Sequence, residues 1–181
     1  MSDVNLQSRV KILDNAVHHG GARPADPSLI VWHGTEGDSA MSSIEYLNTT
    51  TDKSASYTYV IERDGIMYRM TSPALVAWHA GDSAWPHPVV ATAGNQKPNG
   101  GRSVNAISLG VAFANKGDGE PLTLEQRASG LWLAKVYIAR FDIPIALNLI
   151  HAEVSPGRKT DTLSFMTGDQ WRAALTEYMA R

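Results

Sequence analysis

Cysteine is absent from the 181-residue sequence. No disulfide can form, so the composition says nothing about redox compartment. Any bound metal must be held by histidine and carboxylate, because the thiolates usual in structural zinc sites are missing. An excess of charge of one sign is missing too. Sixteen Lys and Arg face 18 Asp and Glu, for a net charge of −2, which excludes the basic face expected of a nucleic-acid binder. No segment approaches the ~20 apolar residues of a membrane span. The first 21 residues contain no apolar stretch suited to the core of a secretory signal, so synthesis as a soluble cytoplasmic chain without signal peptide is expected. There are no internal repeats and no low-complexity tract.

What is present suits one soluble globular domain. Hydrophobic residues make up 43% and charged residues 19%, and a chain of this size buries roughly 70% of the surface it exposes when unfolded. Residues 1–27 are polar and interrupted by Gly20, Gly21, Pro24 and Pro27, and read as an extension with little regular structure. Residues 28–165 read as the core, and 166–181 as a closing helix. Ser28 to His33 and Ile107 to Ala114 are near-continuous apolar runs, the signature of buried strands. Tyr57–Ile61 and Ile66–Met70 flank Asp64-Gly65, a strong hairpin signal because glycine accepts the positive φ of the turn. Ser39 to Leu47 reads as a helix. Thr123 with Gln126, and Thr167 with Gln170, have the form of capping boxes and predict helices over 124–140 and from 168 through Tyr178. Ala146 to Ile150 reads as a strand running into His151. Residues 81–105 read as a long surface loop, in which Trp85 and His87 are candidates to line a groove. The sum is an α/β single domain with a central mixed β-sheet flanked by helices.

Six histidines are present. His33 and His151 each end a predicted strand, where rigid backbone meets an open face. Either alone also reads as an ordinary satisfied side chain at a sheet rim. After His151, Pro156-Gly157 makes a turn that can return Asp161 toward it, and Lys159 points the same way as Asp161 in an extended segment. Two histidines and one carboxylate leave the fourth tetrahedral position of zinc open for water, as in catalytic sites. His18 and His19 have no predicted element to position them and read as incidental.

The motifs carry a resemblance. His33-Gly34-Thr35 resembles the His-x-(Ser/Thr) that follows the first strand of the zinc-dependent N-acetylmuramoyl-L-alanine amidases of type 2. These share their fold with peptidoglycan-recognition proteins and phage lysozyme-type amidases. His151-Ala152-Glu153-Val154-Ser155-Pro156-Gly157-Arg158-Lys159-Thr160-Asp161 is similar to the long second motif of that family almost throughout. Tyr57 to Gly65, Ala77-Trp78-His79-Ala80-Gly81 and Asn105 to Val111 resemble its intervening segments, in the same order. The resemblance spans roughly residues 28–165. It implies Zn2+ bound by His33, His151 and Asp161, with Lys159 stabilising charge in the transition state. It also implies a catalytic Tyr57, and substrate contacts from Trp78 and His79. Tyr57, Lys159 and His79 each keep a plain structural reading as sheet aromatic, surface lysine and packing residue. Two departures stand out. Many relatives carry a glutamate, a candidate general base, where this chain has Ala112, which leaves Tyr57 to assist the water. The usual Pro-Gly after the last aspartate is Thr162-Leu163 here.

The function implied is a zinc hydrolase cutting the amide between N-acetylmuramic acid and L-alanine, in the setting of a phage endolysin that reaches the wall when released. The alternatives are a cytoplasmic amidase recycling anhydro-muropeptides and a non-catalytic peptidoglycan-binding module. The expected partner is peptidoglycan or a muropeptide, with no nucleic acid and no membrane, and the protein is expected to be a monomer.

Overall fold

The two apolar runs become the middle of the sheet. Strand β3 (Leu29–Gly34) and strand β7 (Ser108–Phe113) are buried at every position and pair in parallel from Leu29↔Ser108 to Gly34↔Phe113. The computed structural model describes residues 3–52, 54–83 and 104–181. Around this pair the six-stranded sheet adds β4 (Tyr59–Ile61), β5 (Met67–Arg69), β1 (Val10–Ile12) and β8 (Asn148–Ile150), in the order β1-β5-β4-β7-β3-β8. Among the described residues of this sheet, the β4–β5 hairpin is antiparallel and the other pairings are parallel. Gly65 takes φ +83° in its turn, and a Cβ there would stand 2.9 Å from the Glu125 carbonyl oxygen, so both the turn and the close backbone favour glycine.

Register decides what each face carries. His33 lies opposite Ala112, and Ala112 opposite Val60, so these three share one face. Helix α2 (Ala40–Thr49) covers that face, packing Ala40 and Ile44 on Val60, Ala112 and Ala114. Its first turn is capped by Ser39, whose side chain accepts from Ser42 N–H. The opposite face carries Trp32, Tyr59 and Phe113. It is covered by α4 (Leu124–Phe141) and α6 (Gly168–Met179). Trp32 stacks on Phe113 with centroids 5.5 Å apart and meets Trp171 at 4.6 Å. Tyr59 and Tyr137 share a 2.7 Å hydroxyl contact. Both predicted capping boxes form, with Thr123 and Gln126 opening α4 and Thr167 and Gln170 opening α6. Helix α4 ends on Asp142 in the left-handed region, φ 54°. None of the described helices is long and apolar enough to cross a membrane.

The N-terminal segment departs from expectation. Residues 1–27 are not a bare extension. Helix α1 (Asp3–Gln7) sends Leu6 into the core at 1% exposure. β1 pairs in parallel with β5, and β2 (His19–Ala22) pairs antiparallel with β6 (Leu75–Ala77), in a separate two-stranded sheet. β1 has one half-buried and two exposed residues. So short and solvated a strand shows no side-chain alternation, because backbone hydrogen bonds to a neighbour define it. The predicted loop over 81–105 falls largely outside the described residues, and Trp85 and His87 lie there. Its end is helical, forming α3 (Val104–Ile107) just before β7. His151 does not close a strand but opens α5 (His151–Val154), directly after β8.

Candidate metal centre

The parallel pairing of β3 with β8 brings the two strand ends, and with them His33 and His151, side by side. Their Nδ1 atoms are 2.9 Å apart. The Pro156-Gly157 turn returns the chain, and Asp161 arrives with Oδ1 2.9 Å from His151 Nδ1 and Oδ2 3.5 Å from His33 Nδ1. The candidate ligand atoms of the three residues all lie within 4.8 Å of one another. All three side chains are buried. Gly34 N–H donates to Asp161 Oδ2 at 3.2 Å, while Asp161 Oδ1, buried, accepts no hydrogen bond. Two ring nitrogens and a carboxylate oxygen that crowd one point, with one oxygen unbonded, are placed to hold a cation.

The electrostatics agree. Burial, reinforced by the neighbouring His151, lowers the His33 pKa to about 4 against the pull of Asp161. Burial pushes the Asp161 carboxyl up, but the close imidazoles of His151 and His33 outweigh it and hold the pKa well below the ordinary range. At neutral pH His33 is therefore a free base and Asp161 an anion, the states in which both bind metal.

Tyr57 packs beside this cluster, its ring centroid 5.2 Å from that of His33. Burial, then the charges of Asp161 and Glu36, raise its pKa, so the phenol keeps its proton. Tyr57 and Lys159 line a groove of about 450 Å³ together with Thr35, Glu36, Tyr46 and Leu47. Lys159 is half-buried, and among the described residues its ammonium pairs with no carboxylate.

The expected substrate residues divide. Trp78 is 37% exposed, with its indole stacked on His18 at 6.3 Å. His19 is therefore positioned by the β2–β6 pairing, and His18, just before it, by Trp78. His79, expected at the site wall, instead lies behind His33 at 6% exposure. Its Nδ1 is 3.0 Å from His33 Nε2, and its Nε2 is 3.0 Å from Ser108 Oγ.

Sequence reasoning passed over several residues that shape the site. A Cβ at Gly34 would stand 2.4 Å from the Asp161 carbonyl oxygen, so the glycine after His33 lets the ligand loop approach. Glu153 accepts from Ile150 N–H and pairs with Arg172, tying the ligand segment to α6. Asn105, Ser108 and Arg158 bond around the histidines. The Asn-x-x-Ser spacing of residues 105–108 was the visible signal of the first two, and the motif from His151 to Asp161 that of Arg158.

Comparison with known proteins comes to the same place. The family described as N-acetylmuramoyl-L-alanine amidase matches residues 23–163. No individual characterised protein matches the chain by sequence. A structure of AmpD is similar over 92% of this chain and 94% of its own, with 22% identity and a TM-score of 0.71. AmiD from E. coli, solved with the substrate anhydro-N-acetylmuramic acid-L-Ala-D-gamma-Glu-L-Lys, shares 28% identity over 77% of this chain and 55% of its own, with a TM-score of 0.58. A mutant endolysin from Bacillus subtilis is similar over 92% and 97%, at 20% identity and a TM-score of 0.64.

Proposed function

The chain belongs to the N-acetylmuramoyl-L-alanine amidase family, enzymes of peptidoglycan cleavage, and on that footing we propose that zinc held by His33, His151 and Asp161 carries its chemistry. The observation behind this reading is the convergence of the three side chains around the unbonded Asp161 Oδ1. The donor set fits: two neutral imidazoles and one carboxylate are a familiar catalytic zinc set. His33 Nδ1 and Asp161 Oδ1 each stand 2.9 Å from His151 Nδ1, on the scale of the about 3.4 Å expected of tetrahedral neighbours on one zinc ion. Ala112, opposite His33, contributes no donor to the set.

When bound, zinc supplies Lewis acidity, lowering the pKa of a water to about 7 and polarising the scissile carbonyl. The chain's own groups do the rest. Asp161 contributes the one negative charge among the three ligands. Lys159, whose ammonium pairs with no carboxylate among the described residues, offers a charged donor to the oxygen on which charge develops. Tyr57, held protonated, serves as a hydrogen-bond donor and not as a base. The groove beside them accommodates the substrate, and the exposed indole of Trp78 offers a flat surface to a sugar ring.

The test is purified protein on peptidoglycan. Amidase action releases new L-alanine amino termini and stops on zinc chelation; release of reducing sugars instead would overturn the reading. We take the intact wall as the substrate, in the manner of an endolysin, and the similarity to endolysins over nearly their whole length supports this. The similarity to AmiD in complex with an anhydro-muropeptide supports a second reading, recycling of soluble fragments. Rates on intact sacculi against soluble anhydro-muropeptides separate the two.

A further inference from the structure

His33 and His151 each have a second ring nitrogen, and two consecutive residues take charge of them. We propose that His79 is a positioning residue: its buried ring, anchored through Ser108 to the Val104 carbonyl, holds His33 in the one tautomer whose Nδ1 can bind a cation. The inference rests on the metal reading above and extends it to what aims the ligands.

Ser108 Oγ is 2.5 Å from the Val104 carbonyl oxygen. A carbonyl only accepts, so the hydroxyl proton is directed there. Toward His79 Nε2, 3.0 Å away, Ser108 Oγ can then only accept. His79 therefore carries its proton on Nε2 and presents a lone pair at Nδ1. His33 Nε2 lies 3.0 Å from that lone pair and must donate to it. The proton of neutral His33 is thereby placed on Nε2, and its Nδ1 lone pair faces His151 and Asp161. Every link is buried: Ser108 and His33 are 0% exposed and His79 is 6% exposed. Reversing one link would set two donors face to face where no solvent can relieve them. A single backbone carbonyl thus sets the direction of three successive hydrogen bonds.

His151 is served by the next residue. Its Nε2 is 3.3 Å from the Ala80 carbonyl oxygen, which also accepts from Arg158 Nη2 at 2.7 Å. The His79-Ala80 pair is itself clamped, since both backbone N–H groups donate to Asn105 Oδ1, at 3.1 and 2.8 Å. One buried amide oxygen so holds the partners of both ligands. The strand beneath is cut to fit. A Cβ at Gly110 would stand 2.3 Å from His79 Cγ, so the ring occupies the space where any other residue would put its side chain.

The test compares His79→Asn, in which an amide oxygen can take the place of the Nδ1 acceptor, with His79→Leu, which fills similar volume without one. Ser108→Ala, which removes only the anchor, is the third variant. Two readouts are used on folded protein: zinc affinity by competition with a chromophoric chelator, and the tautomer of the His33 ring by ¹⁵N NMR in the metal-free protein. The wild type is expected to show His33 protonated on Nε2 only. His79→Leu should lose that preference and bind zinc about 10–100-fold more weakly. His79→Asn should recover most of both, and Ser108→Ala should show a mixture of tautomers. Wild-type affinity and tautomer in His79→Leu would overturn the proposal. So would equal losses in His79→Leu and His79→Asn, which would make the ring mere packing. If His79→Leu does not fold, Ser108→Ala decides, and an unchanged His33 tautomer there overturns it. Failure of the metal reading looks different: the wild type itself binds no zinc, and the tautomer measurement then judges the His79 relay alone.

Discussion

Gly34 meets Asp161 twice. Its N–H donates to Oδ2 at 3.2 Å, and its bare Cα leaves room for the Asp161 carbonyl, which a Cβ would approach to 2.4 Å. The residue beside one ligand is thus the seat of another. Gly34→Ala removes no ligand, yet it should push the Asp161 segment outward and weaken zinc binding. Chelator competition checks this, and an affinity equal to wild type would show that the loop has slack.

Single substitutions in the cluster should sort by role. His33→Ala, His151→Ala and Asp161→Ala should lose zinc, measured as metal content after dialysis. Lys159→Ala and Tyr57→Phe should keep it. Loss of the Lys159 donor should lower kcat by about 10²–10³-fold, the usual effect of removing an oxyanion donor. Equal metal content in all five variants would refute the ligand assignment.

The metal-free protein should lose stability in mild acid. His33 titrates near pH 4 when folded and near its ordinary 6.5 when unfolded. Between those values the unfolded chain binds a proton that the folded one refuses, so stability rises with pH across that window and is lost as pH falls. His79, lowered in the same sense by burial and by His33 and His151, adds to the slope. Asp161, lowered in the fold, adds stability above its ordinary value near 3.8 that is lost only in stronger acid. The melting temperature of chelated protein should therefore fall between pH 7 and 4.5 and stay level between pH 7 and 8. A level profile from 7 to 4.5 would contradict the buried neutral His33.

Away from the site, Trp171 is 2% exposed and wedged against Trp32 and Phe113. Trp171→Ala should cost about 3–5 kcal/mol by opening a cavity, read as a shift in the denaturant midpoint. Zinc affinity should be unchanged in the folded variant, because the indole lies on the sheet face opposite His33.

Much of this was legible in the chain because it is local. Apolar runs mark β3 and β7, the Asp64-Gly65 turn marks the hairpin, and hydroxyl–glutamine pairs mark the starts of α4 and α6. In each case the physical cause acts within a few residues of its signal. His33, His151 and Asp161 were legible as a donor set from the predicted strand ends and the Pro156-Gly157 turn, and from the motifs that resemble the amidase family. Their meeting was expected from the family resemblance, and its geometry was not. His33 and His151 are 118 positions apart and touch because β3 and β8 pair in parallel, in a register set by the packing of the sheet as a whole. The same packing recruits β1 and β2 from a segment with no periodic pattern. It also turns His79 inward over Gly110. Chemistry resides in side chains, and the sequence names them. Direction and distance come from backbones brought together over long separations, and only the folded chain decides those.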